Sequence, residues 1–421
     1  MCAADSRAGA WGEDARADDA GSVVDVIVVG AGVVGTAIAT ECVRSGRSVR
    51  LVDPDPGTGA TYAAAGMLSP VGEFEPSEPA TLPLLIEAAR RYPAFVDAQP
   101  GGAAACGYER HATLLVGVDA ADRARLSALL ASPAAAPLRA ERMAVHAARR
   151  VEPLLAPGIA CAYTAPDDHR VDPRAFTSAL RAALPAGTVI RRAVRALRRG
   201  RTGAACGVVL DDGTALEAAE VVLATGLDMT GLLPSGIVPS GTIRPVHGDI
   251  LRLRAAGRGA VAQTIRASVR GRSVYLVPRA DGGLVVGATQ REDGDDDVSA
   301  GGVLSLLRDA AEVVPAIEDH RFVEAVARAR PATPDHLPLV GRIDDGLVVA
   351  SGTYRNGVLL APLIAALVRD ELDGARAHPF AALLDPGRFA RGRFARGSFS
   401  PARVSRERRA SVPLPLEGAP A

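Results

Sequence analysis

A few short stretches carry residue types whose spacing could do chemistry. Gly30-Ala-Gly32-Val33-Val34-Gly35 lies between an apolar run and a helical pattern, with Asp53 about twenty residues on. Glycines at that spacing allow a tight turn and let the backbone approach a pyrophosphate at a helix N-terminus. An acid closing the next strand accepts hydrogen bonds from a ribose hydroxyl, the role expected of Asp53. The pattern predicts a dinucleotide site; the plainer reading is a glycine turn that only packs helix on sheet. Ala63-Ala-Ala65-Gly66-Met67-Leu68 is small enough to approach a flat ring or a phosphate, or is simply the start of an alanine-rich helix. Ala224-Thr225-Gly226 ends a later apolar run in a similar way. Gly352-Thr353-Tyr354-Arg355-Asn356-Gly357-Val358-Leu359 sits at a strand-to-helix junction, aiming a partial positive charge at an electron-rich group. Upstream, Arg330 precedes Pro331, and a guanidinium in a restrained turn can grip a carboxylate with two bonds. For either arginine the plainer reading is a salt bridge.

Other chemistry is excluded. All 48 basic residues are arginine, balanced by 48 acidic ones. Without lysine there is no Schiff base, hence no pyridoxal enzyme, and no ordinary P-loop NTPase. Zero net charge offers no field for nucleic acid or an anionic membrane. Cys2, Cys42, Cys106, Cys161 and Cys206 are scattered without a C-x-x-C pair, so neither a disulfide framework nor a metal site is expected, and a reducing compartment suits them. The histidines form no base–nucleophile constellation; His111, His146, His169, His320 and His378 read as surface or loop residues. No catalytic side chain is expected. The first residues lack the basic and apolar regions of a signal peptide. The most apolar segment, 346–368, carries Arg355, so no membrane span is expected and a cytoplasmic location is.

These motifs need elements to position them. Residues 23–29 form a β-branched run broken only by Asp25, the mark of a strand buried on both faces. A helix over 33–44 ended by Gly46 and a second strand over 47–52 complete a β-α-β unit. Residues 221–224 and 347–351 read as further buried strands, the latter leading into a helix over 357–372. Alternating patterns at 113–118, 268–278 and 283–289 predict antiparallel hairpins. The expected architecture is α/β, with parallel-sheet pieces at the start, middle and end and an antiparallel α+β domain inserted between them. Boundaries are placed at 22–100, 165–245 and 328–374 for the first domain, and 101–164 and 246–327 for the second. Residues 1–21 are expected to be a disordered leader and 385–421 a disordered Arg/Pro-rich tail.

The β-α-β unit, the 63–68 stretch, Tyr275-Leu-Val-Pro278-Arg279, Val286-Gly287-Ala288-Thr289, Arg330-Pro-Ala-Thr-Pro-Asp335 and Tyr354-Arg355-Asn356-Gly357 through Pro362 together resemble the glycine-oxidase branch of the D-amino-acid-oxidase family of FAD flavoproteins. The resemblance runs over roughly 23–373, in the family's order, and that branch is associated with thiamine biosynthesis. It implies a Rossmann-type FAD-binding domain with an inserted substrate domain. It implies FAD in the Gly30 turn, with Val33, Val34, Asp53 and Pro54 at the adenosine half and Val194 meeting the adenine. Thr61, Ala65, Gly66 and Met67 would lie near the pyrophosphate and ring, and Thr353 to Leu359 at the flavin's pyrimidine side. Arg330 matches the carboxylate-binding arginine, Arg355 a second substrate-side arginine, and Tyr275 would add a hydroxyl. The implied activity is oxidation of glycine or a small D-amino acid by hydride transfer to flavin, with molecular oxygen reduced to hydrogen peroxide. The alternatives are a tailoring enzyme for an N-substituted glycine, a dehydrogenase using another acceptor, and a non-catalytic FAD-binding subunit. Ala329 beside Arg330, with no cysteine there, implies non-covalent FAD. Two departures from the family pattern, Tyr62 and Arg244-Pro-Val-His247-Gly-Asp249, fall near the expected substrate face. Related enzymes often form homo-oligomers; no interface is legible in this sequence.

Overall fold

The structure, a computed structural model, describes residues 22–233, 238–256, 259–375 and 378–389. The leader expected at 1–21 lies outside the described residues. So does the tail from 390 onward. Residues 385–389 belong to the fold instead: Pro386–Arg388 form a 3-10 turn, and Arg388 grips Asp335 with bonds of 2.8 and 3.0 Å while donating to the Leu337 and Pro338 carbonyls.

Two eight-stranded sheets carry the molecule. In the first, Val24–Val29 pairs in parallel with Val49–Val52 on one side and with Ala215–Leu223 on the other. Leu347–Ser351 continues the parallel run beyond Ala215–Leu223, and Val189–Ile190 beyond Val49–Val52. Parallel strands tolerate burial on both faces, and Val26 to Val29 are buried throughout. Helices Val33–Arg44, Leu82–Asp97 and Gly357–Leu372 bury one face around Ile38, Tyr92 and Ile364. On the other face, Val208, Leu216 and Met229 pack against Ile27 and Leu223. The helix predicted over 33–44 and that over 357–372 agree with the structure residue for residue.

The second sheet runs Arg321–Ala332, Arg244–Arg254, Gly283–Gly287, Arg272–Pro278, Thr264–Val269, Thr113–Gly117, Cys161–Ala165 and Glu141–Met143. Its pairings are antiparallel apart from Thr264–Val269 with Thr113–Gly117. Helix Ala300–Val313 covers one face, closing a core around Leu251, Leu276 and Leu306. The strand predicted over 268–278 is in fact two, folded back at Arg270 (φ 52°) and Gly271 (φ 79°). Two positive φ values make the mirror-type hairpin turn, and an arginine in its first position hides the signal from the sequence. No helix among the described residues is long and apolar enough to cross a membrane.

Candidate active site

One cleft of about 1660 Å³ runs from the Gly30 turn to the open face of the second sheet. A drug-sized ligand fills roughly 300–1,000 Å³; this cleft has room for a dinucleotide and a further small molecule. Of the residues expected to bind cofactor or substrate, all but Gly35 line it.

At the dinucleotide end, strand Val24–Val29 delivers Gly30 with φ +100°, and a Cβ there would lie 2.5 Å from the Ala224 carbonyl oxygen. Gly35 works from behind: its Cβ would stand 1.8 Å from the Gly30 oxygen, so it sets the helix against the turn and not the cleft wall. Gly32 caps helix Val33–Arg44 without a side chain, and the Val33 N–H donates to Thr61 Oγ1 at 3.0 Å. Asp53 accepts from the Ala31 and Asp55 N–H groups at 2.6 and 2.8 Å, which aims its carboxylate across the glycine turn. Val194 opens its strand at the cleft wall, and Pro54 is exposed at the rim.

Toward the middle, Gly66 (φ +80°) passes so close to the Val171 carbonyl that a Cβ would fall 2.0 Å from its oxygen. The 63–68 stretch is thus the end of a one-turn helix, Ala60–Ala63, running into a two-residue strand, Met67–Leu68. Ala224 and Gly226 bracket Thr225, whose buried hydroxyl has no protein partner; the Asn356 amide oxygen at the head of helix Gly357–Leu372 has none either. No side chain caps that helix, and Thr353 to Leu359 line the cleft at its N-terminus. Buried polar atoms without partners are rare. Both residues border the cleft, where a polar, flat ligand can supply what they lack.

The far end is built by the second sheet. Tyr275 is flanked across the strands by Gly287 and Arg266. Burial raises the Tyr275 hydroxyl above its ordinary pKa, while Arg330 and Arg266 pull it down. Arg330, near the end of Arg321–Ala332, reaches across Gly248: a Cβ there would sit 2.3 to 2.5 Å from three guanidinium atoms. It makes only long contacts to the His247 and Thr289 carbonyls, 3.4 and 3.3 Å, and no ion pair among the described residues. Arg355 is placed differently from a free substrate-side arginine. Its Nε lies 2.7 Å from Glu73 Oε2, and Nη2 lies 3.4 Å from Glu78 Oε2. Glu73 also holds Arg266, at 3.1 Å. Glu78 accepts from His336 at 2.6 Å, and His336 stacks on Tyr354.

Glu73, Glu78, Arg266 and His336 escaped the sequence reading, and Gly248 stood out only as part of the Arg244–Asp249 stretch. The one local sign was Ser69-Pro70, a cap and first-turn pair that starts the short helix Pro70–Glu73. Tyr62 points away from the cleft, its ring under Arg174 and its hydroxyl donating to Glu324 at 2.8 Å, so it does not shape the substrate end. His169 is a half-buried strand residue bonded to Tyr108 and not a loop residue. His247 is buried with Nε2 2.7 Å from Asp296. Cys42 and Cys106 are buried, with thiols pushed up to about 11, inert as nucleophiles.

Residues 25–371 match the family described as FAD dependent oxidoreductase. The chain belongs to that family. It is 33% identical to glycine oxidase of Geobacillus kaustophilus over 82% of this chain and 92% of that protein. Glycine oxidase of Pseudomonas putida is 30% identical, over 87% and 97%. The bifunctional protein ThiO/ThiG of Synechocystis sp. is 31% identical over 87% of this chain, which spans about half (54%) of that relative. The crystal structure of the Geobacillus kaustophilus glycine oxidase superposes with a TM-score of 0.75 at 30% identity, covering 87% of this chain and 98% of that one. Iminodiacetate oxidase from Chelativorans sp. BNC1 also superposes at 0.75, with 26% identity over 86% and 98%. The fold is accordingly a Rossmann-type FAD-binding domain with a substrate domain on the second sheet. The cofactor is FAD, and the Gly30 turn, Asp53, Thr225 and Asn356 have the geometry and polarity it requires.

Proposed function

We propose that the protein oxidises glycine or a small relative, an N-methyl glycine or a small D-amino acid, to the imino acid, with oxygen as electron acceptor. The observation that carries this reading is Arg330: a guanidinium without an ion pair among the described residues, beside the Tyr275 hydroxyl, on the sheet that faces the cofactor end of the cleft. A planar fork of donors matches a carboxylate and fixes its plane. Tyr275, kept protonated by burial, donates to the same carboxylate. Those contacts orient the α-carbon, and orientation supplies much of the barrier reduction without a side-chain base. The histidines at this end are engaged, His336 with Glu78 and His247 with Asp296, which fits a reaction of the neutral amine. FAD, when bound, would supply the hydride acceptor and the two-electron chemistry that reduces oxygen to hydrogen peroxide. The imino acid hydrolyses in water. The similarity to glycine oxidase and to ThiO/ThiG supports this reading and a place in thiamine biosynthesis. Purified holoprotein given glycine, sarcosine and D- and L-alanine in an oxygen electrode tests it. Oxygen uptake with glycine or sarcosine is expected; reduction of an added dye without oxygen uptake would make the protein a dehydrogenase.

A further inference from the structure

Among the arginines that line the cleft are Arg330, Arg266 and Arg355. Their charges are not equally available. Glu73 is buried, and its two carboxylate oxygens face different partners, Arg266 at 3.1 Å and Arg355 at 2.7 Å. Arg355 Nη2 also takes the Glu73 carbonyl, at 3.1 Å. Glu78 neutralises what remains of Arg355. Of the three, only Arg330 is left with an unmatched positive charge.

Glu73 is held firmly. It closes the helix Pro70–Glu73, whose cap Ser69 accepts from the Gly72 N–H at 2.9 Å. Ser69 in turn donates to Asp168, which is wholly buried and also accepts from the Val71 N–H at 3.2 Å. The strand carrying Arg266 is the direct neighbour of the strand carrying Tyr275, with Arg266 opposite Tyr275. Neighbouring strands lie about 4.8 Å apart. A carboxylate bound between Arg330 and Tyr275 therefore has the Arg266–Glu73 pair one strand away.

Resting on the glycine-type reading above, we propose that Glu73 is the specificity-determining residue that restricts the site to monocarboxylates. It stands where a second substrate carboxylate would seek its counter-charge, and it already occupies both arginines there. A dicarboxylic amine would bring a second negative charge against a fixed, buried one, with Arg266 and Arg355 both already paired to it. A monocarboxylate matches the open charge on Arg330. Replacing Glu73 by glutamine keeps the shape and releases Arg266 and Arg355 to the second carboxylate.

The test compares iminodiacetate, which has two carboxymethyl arms, with N-ethylglycine, a monocarboxylate of similar reach. Holoenzyme and holo Glu73→Gln are assayed for turnover, and for binding of acetate and malonate through the flavin absorbance. Wild type should favour the monocarboxylate in both readouts. Glu73→Gln should raise the dicarboxylate-to-monocarboxylate ratio by roughly ten- to a hundredfold, the value of one charged hydrogen bond. The double variant Glu73→Gln/Arg266→Gln should lose most of that gain. Glu78→Gln, on the outer side of Arg355, should shift the ratio in the same direction by a smaller factor, and serves if Glu73→Gln does not load flavin. Unchanged ratios in the flavin-loaded variants, or a wild-type preference for the dicarboxylate, overturn the proposal. If no amine is oxidised at all, the reading of the chemistry falls, while the acetate-to-malonate binding ratio still decides the charge filter.

Discussion

Gly248→Ala should injure the reaction while leaving the fold and cofactor intact. Gly248 lies in a regular strand opposite Arg328, with no positive φ, so alanine suits its backbone. The added Cβ, however, would lie 2.3, 2.4 and 2.5 Å from Nη2, Nη1 and Cζ of Arg330, against 3.4 Å or more for ordinary contact. The guanidinium is the far end of a flexible chain held by two long carbonyl contacts, 3.3 and 3.4 Å, so it will yield and not the strand. It must move by about 1 Å, and a misplacement of that size in a substrate-positioning group costs on the order of a hundredfold in rate. The expected result is a yellow, flavin-replete protein whose kcat/KM for glycine falls by about two orders of magnitude. Its melting temperature should stay within about 4 °C of wild type, since the stability change is under about 1 kcal/mol. Flavin titration, thermal melts and initial rates of oxygen uptake measure all three. Wild-type kcat/KM in this variant would refute the claim that the Arg330 guanidinium, where it lies over Gly248, binds the substrate.

Arg330→Lys should already weaken amino-acid turnover and Arg330→Ala should reduce kcat/KM at least ten- to a hundredfold with normal flavin content, because a point charge cannot replace the two-bond grip; loss of flavin in place of activity would make Arg330 structural. Gly35→Ala puts a methyl 1.8 Å from the Gly30 oxygen, a backbone atom that cannot step aside, so a loss of about 1–3 kcal/mol and of flavin retention is expected from denaturant melts and absorbance. Burial raises the Asp168 carboxyl to about 7, against the hydrogen bonds from Ser69 and Val71. The folded state then holds a proton that the unfolded state has released, so this group makes stability fall as pH rises from about 4 to about 7. Asp168→Asn should flatten that part of the melting profile, and an unchanged slope counts against the assignment. Acid or heat should release intact FAD into the supernatant, since no cysteine stands beside Arg330; flavin remaining with the precipitate would show a covalent link.

Much of this protein is legible in one dimension because its chemistry begins in local backbone geometry. The Gly30–Gly35 turn needs glycine where φ is positive and where a Cβ would strike carbonyl oxygens, and those demands are written at fixed spacing along the chain. Helices Val33–Arg44 and Gly357–Leu372 are equally clear, because buried helices beside parallel strands show as mainly apolar stretches, closed by Gly46 and opened by Gly357. Arg330 was found through Pro331 and a family pattern. Its availability could not be, since a free guanidinium is defined by the carboxylates that are not near it.

Charge pairing is what only the tertiary structure decided. Arg355 stands in the most recognisable motif of the chain, yet Glu73 and Glu78, at and just after the short helix Pro70–Glu73 nearly three hundred residues earlier, neutralise it. Arg266 carried no mark at all; strand pairing sets it opposite Tyr275 and within reach of Glu73. Tyr62, suspect by position, turns its ring under Arg174 because the strand bearing Glu324 passes there. A local turn is determined by residues adjacent in sequence, so the chain itself announces it. The ion pairs around Arg355 and Arg266 form between side chains far apart in sequence, so only the packed fold determines which of these charges meet and that Arg330 stays open.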